Sequence, residues 1–259
     1  MAKSWARFPY PEKKFHYTAV TLKKAWDRLH RGDGEPWPKD EAVVEAWIAF
    51  HAGEFQNAAE LGVKAGGAGL TAANKAQAIY ANYVEDDDKR KLELFQDVAQ
   101  RAEAQHDAEP KNPAGYYWQA YALGRYAQGI SITKALAQGI GGKVKSALET
   151  TIKLAPKHAD AHIALGAYHA EVIDKVGALI AGLTYGAKKD VGLKHFQTAL
   201  KLNPDSAIAR IEYANGLVLL EGKKALAQAE QMYAEAAEFE PLDAMEKLDV
   251  ELARSEMED

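Results

Sequence analysis

Two stretches of the chain have residue types and spacing that could do chemistry. His158-Ala159-Asp160-Ala161-His162 puts two imidazoles one helical turn apart, with His169 further along the same face, the spacing by which a helix holds zinc. Hydrolysis at such a site needs a glutamate directly after the first histidine as base, and Ala159 stands there. His158 also falls just behind Pro156, where a helix would begin, while His162 and His169 fall where a partner helix would pack. Their expected role is structural. Gly139-Ile140-Gly141-Gly142-Lys143 has the outline of a phosphate-binding loop, but Val144 replaces the hydroxyl residue after the lysine and Ala137 replaces the first glycine. Cysteine is absent, which removes thiolate zinc sites, disulfides and cysteine nucleophiles together. No serine, histidine and acid stand at a recognisable catalytic spacing. The expectation is a chain with no catalytic residues, no metal and no cofactor.

The elements that must position any remaining site are helical. The 259 residues include 49 alanines against nine prolines, and alanine is the strongest helix former. With 47% hydrophobic residues the chain can bury a core, and its net charge of -5 argues against a nucleic-acid partner. Its longest apolar stretch, 176–185, is half of the roughly 20 residues a membrane span needs, and Phe8-Pro9-Tyr10-Pro11 stands where a signal peptide would be apolar. A cytoplasmic location is expected, and a periplasmic one would need a removed signal.

A repeat organises the second half. Leu148-Thr151-Pro156, Phe196-Ala199-Pro204 and Tyr233-Ala236-Pro241 share a large residue, a small residue three later and a proline five beyond that, with Val144, Gly192 or Ala229 four before the first member. These spacings put the residues on one helix face, and the proline ends the helix. A second helix should follow each proline, carrying Leu165-Gly166 in one repeat and Tyr213-Ala214 in the next. An earlier copy, behind Pro113, carries Leu123-Gly124. These pairs are expected to be where the first helix of a repeat meets the second. Upstream, Trp47 to Ala65 reads as a weaker pair, and Thr71 to Val84 with Lys89 to His106 as another, joined by the acidic turn 85–88.

On these motifs the chain resembles tetratricopeptide (TPR) repeat proteins, whose period is 34 residues. Two of the prolines here are spaced 46 and 48 apart, because 127–142 and 170–189 are apolar, glycine-punctuated inserts. The lengthened pairs with such inserts resemble bacterial relatives of the regulator-of-microtubule-dynamics family and, more loosely, the T-component proteins that accompany TRAP transporters. The resemblance implies an all-α, right-handed superhelix with a concave groove, used for protein contacts in the first family and for a small apolar ligand in the second. It divides the chain into an arm and leading helix (1–38), divergent pairs (39–111), repeats with inserts (112–241) and an acidic capping helix (242–259).

In the repeat family the groove is lined by the first helix of each pair. The matching positions are Trp118, Tyr121 and Arg125, then Asp160, Ile163 and Ala167, then Ile208, Ile211 and Asn215. The expected function is a non-enzymatic scaffold holding a peptide or helix of another protein there. The alternative is an accessory protein with a small apolar ligand in a pocket walled by the two inserts. Residues 1–31 carry eight basic and two acidic residues, a net +6, and 226–259 carry eleven acidic and two basic, a net -9. A superhelix would hold these ends apart, so salt-sensitive, head-to-tail self-association is a further expectation.

Overall fold

Alanine-rich segments punctuated by capping side chains form fourteen α-helices among the described residues, 4–258, of the computed structural model. Asn112, His158 and Ser206 each accept a hydrogen bond from the first turn of the helix they open. That contact satisfies a donor the helix itself leaves unpaired. Pro156, Pro204 and Pro241 each lie shortly after a helix ends.

A leading helix, α1 (Ala19–Leu29), precedes five helical pairs. They are α2 (Glu41–His51) with α3 (Phe55–Ala65), α4 (Gly69–Tyr83) with α5 (Asp88–Ala108), and α6 (Pro113–Ile130) with α8 (Ile140–Leu154). The last two are α9 (Ala159–Val176) with α11 (Lys189–Leu202), and α12 (Ala207–Glu221) with α13 (Leu226–Ala237). The inserts are the short helices α7 (Ile132–Ala137) and α10 (Ala178–Tyr185), and α14 (Ala244–Glu258) ends the chain. The repeat stripe is buried as its spacing predicts: Leu148, Thr151, Phe196, Ala199 and Ala236 are all at 0% exposure.

Glycines set the closest approaches. A Cβ on Gly166 or Gly216 would come within 2.9 or 2.4 Å of the Phe196 ring, so α9 and α12 both close on this one side chain. Tyr213 stacks on the other side of it, with centroids 5.1 Å apart. Gly124 differs from the expected pairing, because nothing lies within 4 Å of where its Cβ would be. It faces open space instead of a second helix.

The first helices make an inner layer that closes on itself. α2 packs on α4, α4 on α6, α6 on α9, α9 on α12 and α12 on α14, and α14 returns to α2. The arm before α1 ties to this layer at two places: Trp5 stacks on Tyr80 of α4 at 4.3 Å, and the Tyr17 hydroxyl donates to the Leu242 carbonyl, just before α14, at 2.8 Å.

Two expectations are corrected here, and the inserts add a further finding. The charged ends do not lie apart: Arg28 meets Glu246 at 2.7 Å and Lys14 meets Glu240 at 3.4 Å within one chain. α14 is not simply an outer acidic cap, since its Asp249, and Asp243 just before it, are each only 3% exposed. The inserts are helical but stand separately. α7 packs on α6, α8 and α9, whereas α10 rests on α9 and leaves Leu179 and Leu183 at 74% and 81% exposure.

Candidate binding cavity

Helical periodicity brings one stripe from each inner helix except α2 to a shared cavity of about 120 Å³. One water needs roughly 10–15 Å³ on the same measure, so a small organic group fits. α4 contributes Lys75, Ile79 and Tyr83, four residues apart, and α6 contributes Trp118, Tyr121, Arg125 and Gln128. α9 supplies Asp160, Ile163, Ala167 and Glu171, α12 supplies Ile208 and Glu212, and α14 supplies Met245 and Asp249. Gly124 lies in the wall between Tyr121 and Arg125.

The cations in this wall are committed. The Arg125 guanidinium meets Glu212 at 2.8 Å and lies over the Tyr121 ring, 5.4 Å from its centroid. The Lys75 ammonium meets Asp33 at 2.7 Å, with the Trp47 and Phe50 rings beneath it. Asp33 begins a buried chain of polar contacts behind the cavity. Its Oδ1 pairs with His30 Nδ1 at 2.9 Å, the two Nε2 atoms of His30 and His51 lie 3.3 Å apart, and His51 Nδ1 meets Asp243 at 2.7 Å. Burial holds the His30 imidazole down to about 4, so His30 is neutral. This chain ties the loop after α1 to α2, to α4 and to the start of α14.

The acids have less compensation. Burial, reinforced by the Asp33 carboxylate and opposed by Lys75, pushes Asp160 up to about 7. Burial and the Glu212 carboxylate push Glu171 up to about 7, although Gln128 donates to it at 2.6 Å. Asp249 is raised well above the ordinary carboxylate range by burial and by neighbouring acids, against a hydrogen bond from Tyr83 at 2.6 Å. Asp160, Glu171 and Asp249 form no ion pair among the described residues.

Of the positions expected to line the groove, Trp118, Tyr121, Arg125, Ile163 and Ile208 meet at this cavity. Ile211 does not. It is 2% exposed and packs with Ala207, Ala236, Val250 and Ala253, because the inner stripe of α12 runs through Ile208 and Glu212. Asn215 is further along that stripe, in a shallow groove beside Arg125, Glu171 and Glu212, and accepts from the Tyr233 hydroxyl at 2.6 Å. The inserts do not wall the cavity: from 127–142 and 170–189 only Gln128 and Glu171 reach it. Sequence reasoning missed the α4 and α14 residues. Lys75, Ile79 and Tyr83 stand at a regular four-residue spacing that could have flagged a stripe, whereas no local pattern signals that α14 folds inward.

The histidines of the zinc-like spacing are structural. His158 Nδ1 accepts from the Ala161 N–H and caps α9, His162 meets His195 at 2.8 Å, and His169 Nδ1 accepts from the Lys188 N–H. Among the described residues no group of three histidine, aspartate or glutamate side chains is placed to hold a metal ion, and no helix is long and apolar enough to cross a membrane.

Paired helices closing around a concave interior define a TPR-like α-superhelix. A thermophilic TPR protein from Thermus thermophilus matches this fold with a TM-score of 0.55, over 83% of this chain and 98% of its own, at 17% sequence identity. The family model for regulator of microtubule dynamics protein 1-3 matches residues 70–254. That is well over half of the chain, and the chain belongs to this family. No match was found among curated proteins.

Proposed function

We propose that the chain is a non-enzymatic scaffold that holds a peptide or helix of another protein against its inner layer, with Trp118, Tyr121, Arg125, Ile163, Ile208 and Asn215 as the contacts. The observation that carries this reading is the convergence of five helical stripes on one concavity, with aromatic rings beside an arginine, the residue types that dominate interaction energies. The TPR-like fold supports a protein as the partner. Ile211 is left out because it packs between α12, α13 and α14.

A second reading, a ligand-binding accessory protein, is favoured by the return of α14 to α2, which encloses the cavity more than an open groove would. Its walls are then α4, α6, α9, α12 and α14, and not the inserts. Photo-crosslinking separates the two. A benzophenone side chain introduced at Asn215, beside the cavity, should trap a discrete protein in cells, and one at exposed Lys153 on α8 should not. Equal products at both positions would remove the scaffold reading, and a small-molecule adduct at Asn215 alone would favour the second.

A further inference from the structure

The cavity has an excess of acid that the protein itself does not neutralise. Five acids, Asp33, Asp160, Glu171, Glu212 and Asp249, stand in or directly behind its wall, against two cations, Lys75 and Arg125. Each cation is spent on one acid at 2.7 or 2.8 Å. Asp160, Glu171 and Asp249 remain, on two different helices. Asp160 accepts no side-chain or backbone donor among the described residues. Its backbone N–H reaches the Gly32 carbonyl at 3.1 Å, and its carboxylate lies where a Cβ on Gly32 would be.

A second, independent feature points to a missing donor. Tyr117 lines the same cavity, is 6% exposed, and its hydroxyl has no hydrogen-bond partner among the described residues. That hydroxyl is not sealed in the core, and it is free to pair with a group that enters the cavity. Around these groups the wall is aromatic and aliphatic: Trp118 and Tyr121 pack edge to face with centroids 5.4 Å apart, and Ile79, Ile163 and Ile208 lie in the same wall. Aromatic faces attract organic cations, and Arg125 over Tyr121 already uses that attraction.

We propose that this cavity takes an alkylammonium group, a primary ammonium on a short apolar stem, with the ammonium donating to the Asp160 carboxylate and the Tyr117 hydroxyl and the stem lying along Trp118, Tyr121 and Ile163. The group reaches the site either as the side chain of a lysine in a bound peptide or as a free amine. A carboxylate or phosphate ligand is disfavoured, because the two cations of the wall are already paired with Asp33 and Glu212. A neutral alcohol would meet Asp160 without the charge that an ammonium brings. This inference rests on the reading of this concavity as the binding site, and it specifies the chemistry that enters.

Calorimetric titration of the intact chain tests it with hexylamine, hexanol, hexanoate and the peptide acetyl-Ala-Ala-Lys-Ala-Ala-amide. Hexylamine or the lysine peptide should bind at least about tenfold more tightly than hexanol, and hexanoate should not bind. Binding by the peptide but not the free amine assigns the source to a partner protein, and the reverse assigns it to a small metabolite. Asp160→Asn should weaken the ammonium probe by about tenfold, and Tyr117→Phe, which removes the other acceptor, serves the same purpose should that variant fail to fold. Hexanol or hexanoate binding as well as the amine, or neither ammonium probe binding at all, overturns the proposal. A crosslinked partner at Asn215 with no ammonium binding would overturn only this inference and leave the scaffold reading standing.

Discussion

Arg125 illustrates how an inner-face residue is also part of the frame. Its guanidinium is held by Glu212 at 2.8 Å, and the two side chains are 22% and 15% exposed. Removing one partner of a pair this sheltered strands the other charge, which costs about 3 kcal/mol at the lower end of the range for buried pairs. Arg125→Ala should therefore lower the urea midpoint by an amount corresponding to that loss, with the Glu212→Gln variant added to it recovering part. A change within about 0.5 kcal/mol would mean the pair is no more than a surface contact. From sequence alone the same substitution reads as harmless, because nothing local shows that Arg125 and Glu212, 87 residues apart, meet. Titration belongs to this scale too. Burial raises Glu35 to about 8 and Asp160 and Glu171 to about 7. Stability from these carboxyls is whole below their ordinary range and is lost as pH rises through 7 to 8. His30, His158, His169 and His195, each lowered to about 4 chiefly by burial, contribute in the opposite sense, present above 6.5 and lost as pH falls toward 4. Above pH 6.5 only the carboxyls change, so Tm should fall from there to about pH 9, and Glu35→Gln should flatten the upper part of that fall. A Tm that rises across this interval would contradict the burial account.

Among the elements, the pairs of the second half were legible because their signals are local. The stripe ending in Pro156, Pro204 or Pro241 fixes both the buried face and the end of a helix. Phe196 was legible as the large member of such a stripe, but its double role was not: it fills the gap between α9 and α12 by way of Gly166 and Gly216. A methyl group on Gly216 would meet the ring at 2.4 Å, and ring and helix must both give. Gly216→Ala should destabilise by about 1–3 kcal/mol, although alanine is the better helix former, because overpacking outweighs propensity. A stabilised variant by thermal melt would show that α9 and α12 are looser than the structure has them. The inserts show where local reading stops. Apolar composition predicts helices there, and α7 and α10 are helical, but composition does not say what they pack against. At α10, Leu179 and Leu183 face outward and are not covered by the other insert.

At the scale of the whole molecule, the charge asymmetry between the two ends is a closure device. The basic leading segment and the acidic final segment meet through Arg28, Lys14 and Tyr17, and α14 completes the inner layer. The sequence showed the opposite charges but not their meeting, which depends on how far the superhelix curves over all five pairs. Closure turns an open groove into a cavity and carries Met245 and Asp249 of α14 into its wall. The central claim is that this concavity is where the chain does its work, and Gly124 offers a direct test because its Cβ position is open and faces the cavity. Gly124→Leu should fill part of the space without a clash and, as a helix-interior glycine replaced by a good helix former, should not lower Tm. The account predicts that crosslinking from Asn215 disappears in this variant while the fold and its Tm are retained. Undiminished crosslinking from Asn215 in a folded Gly124→Leu protein would contradict it.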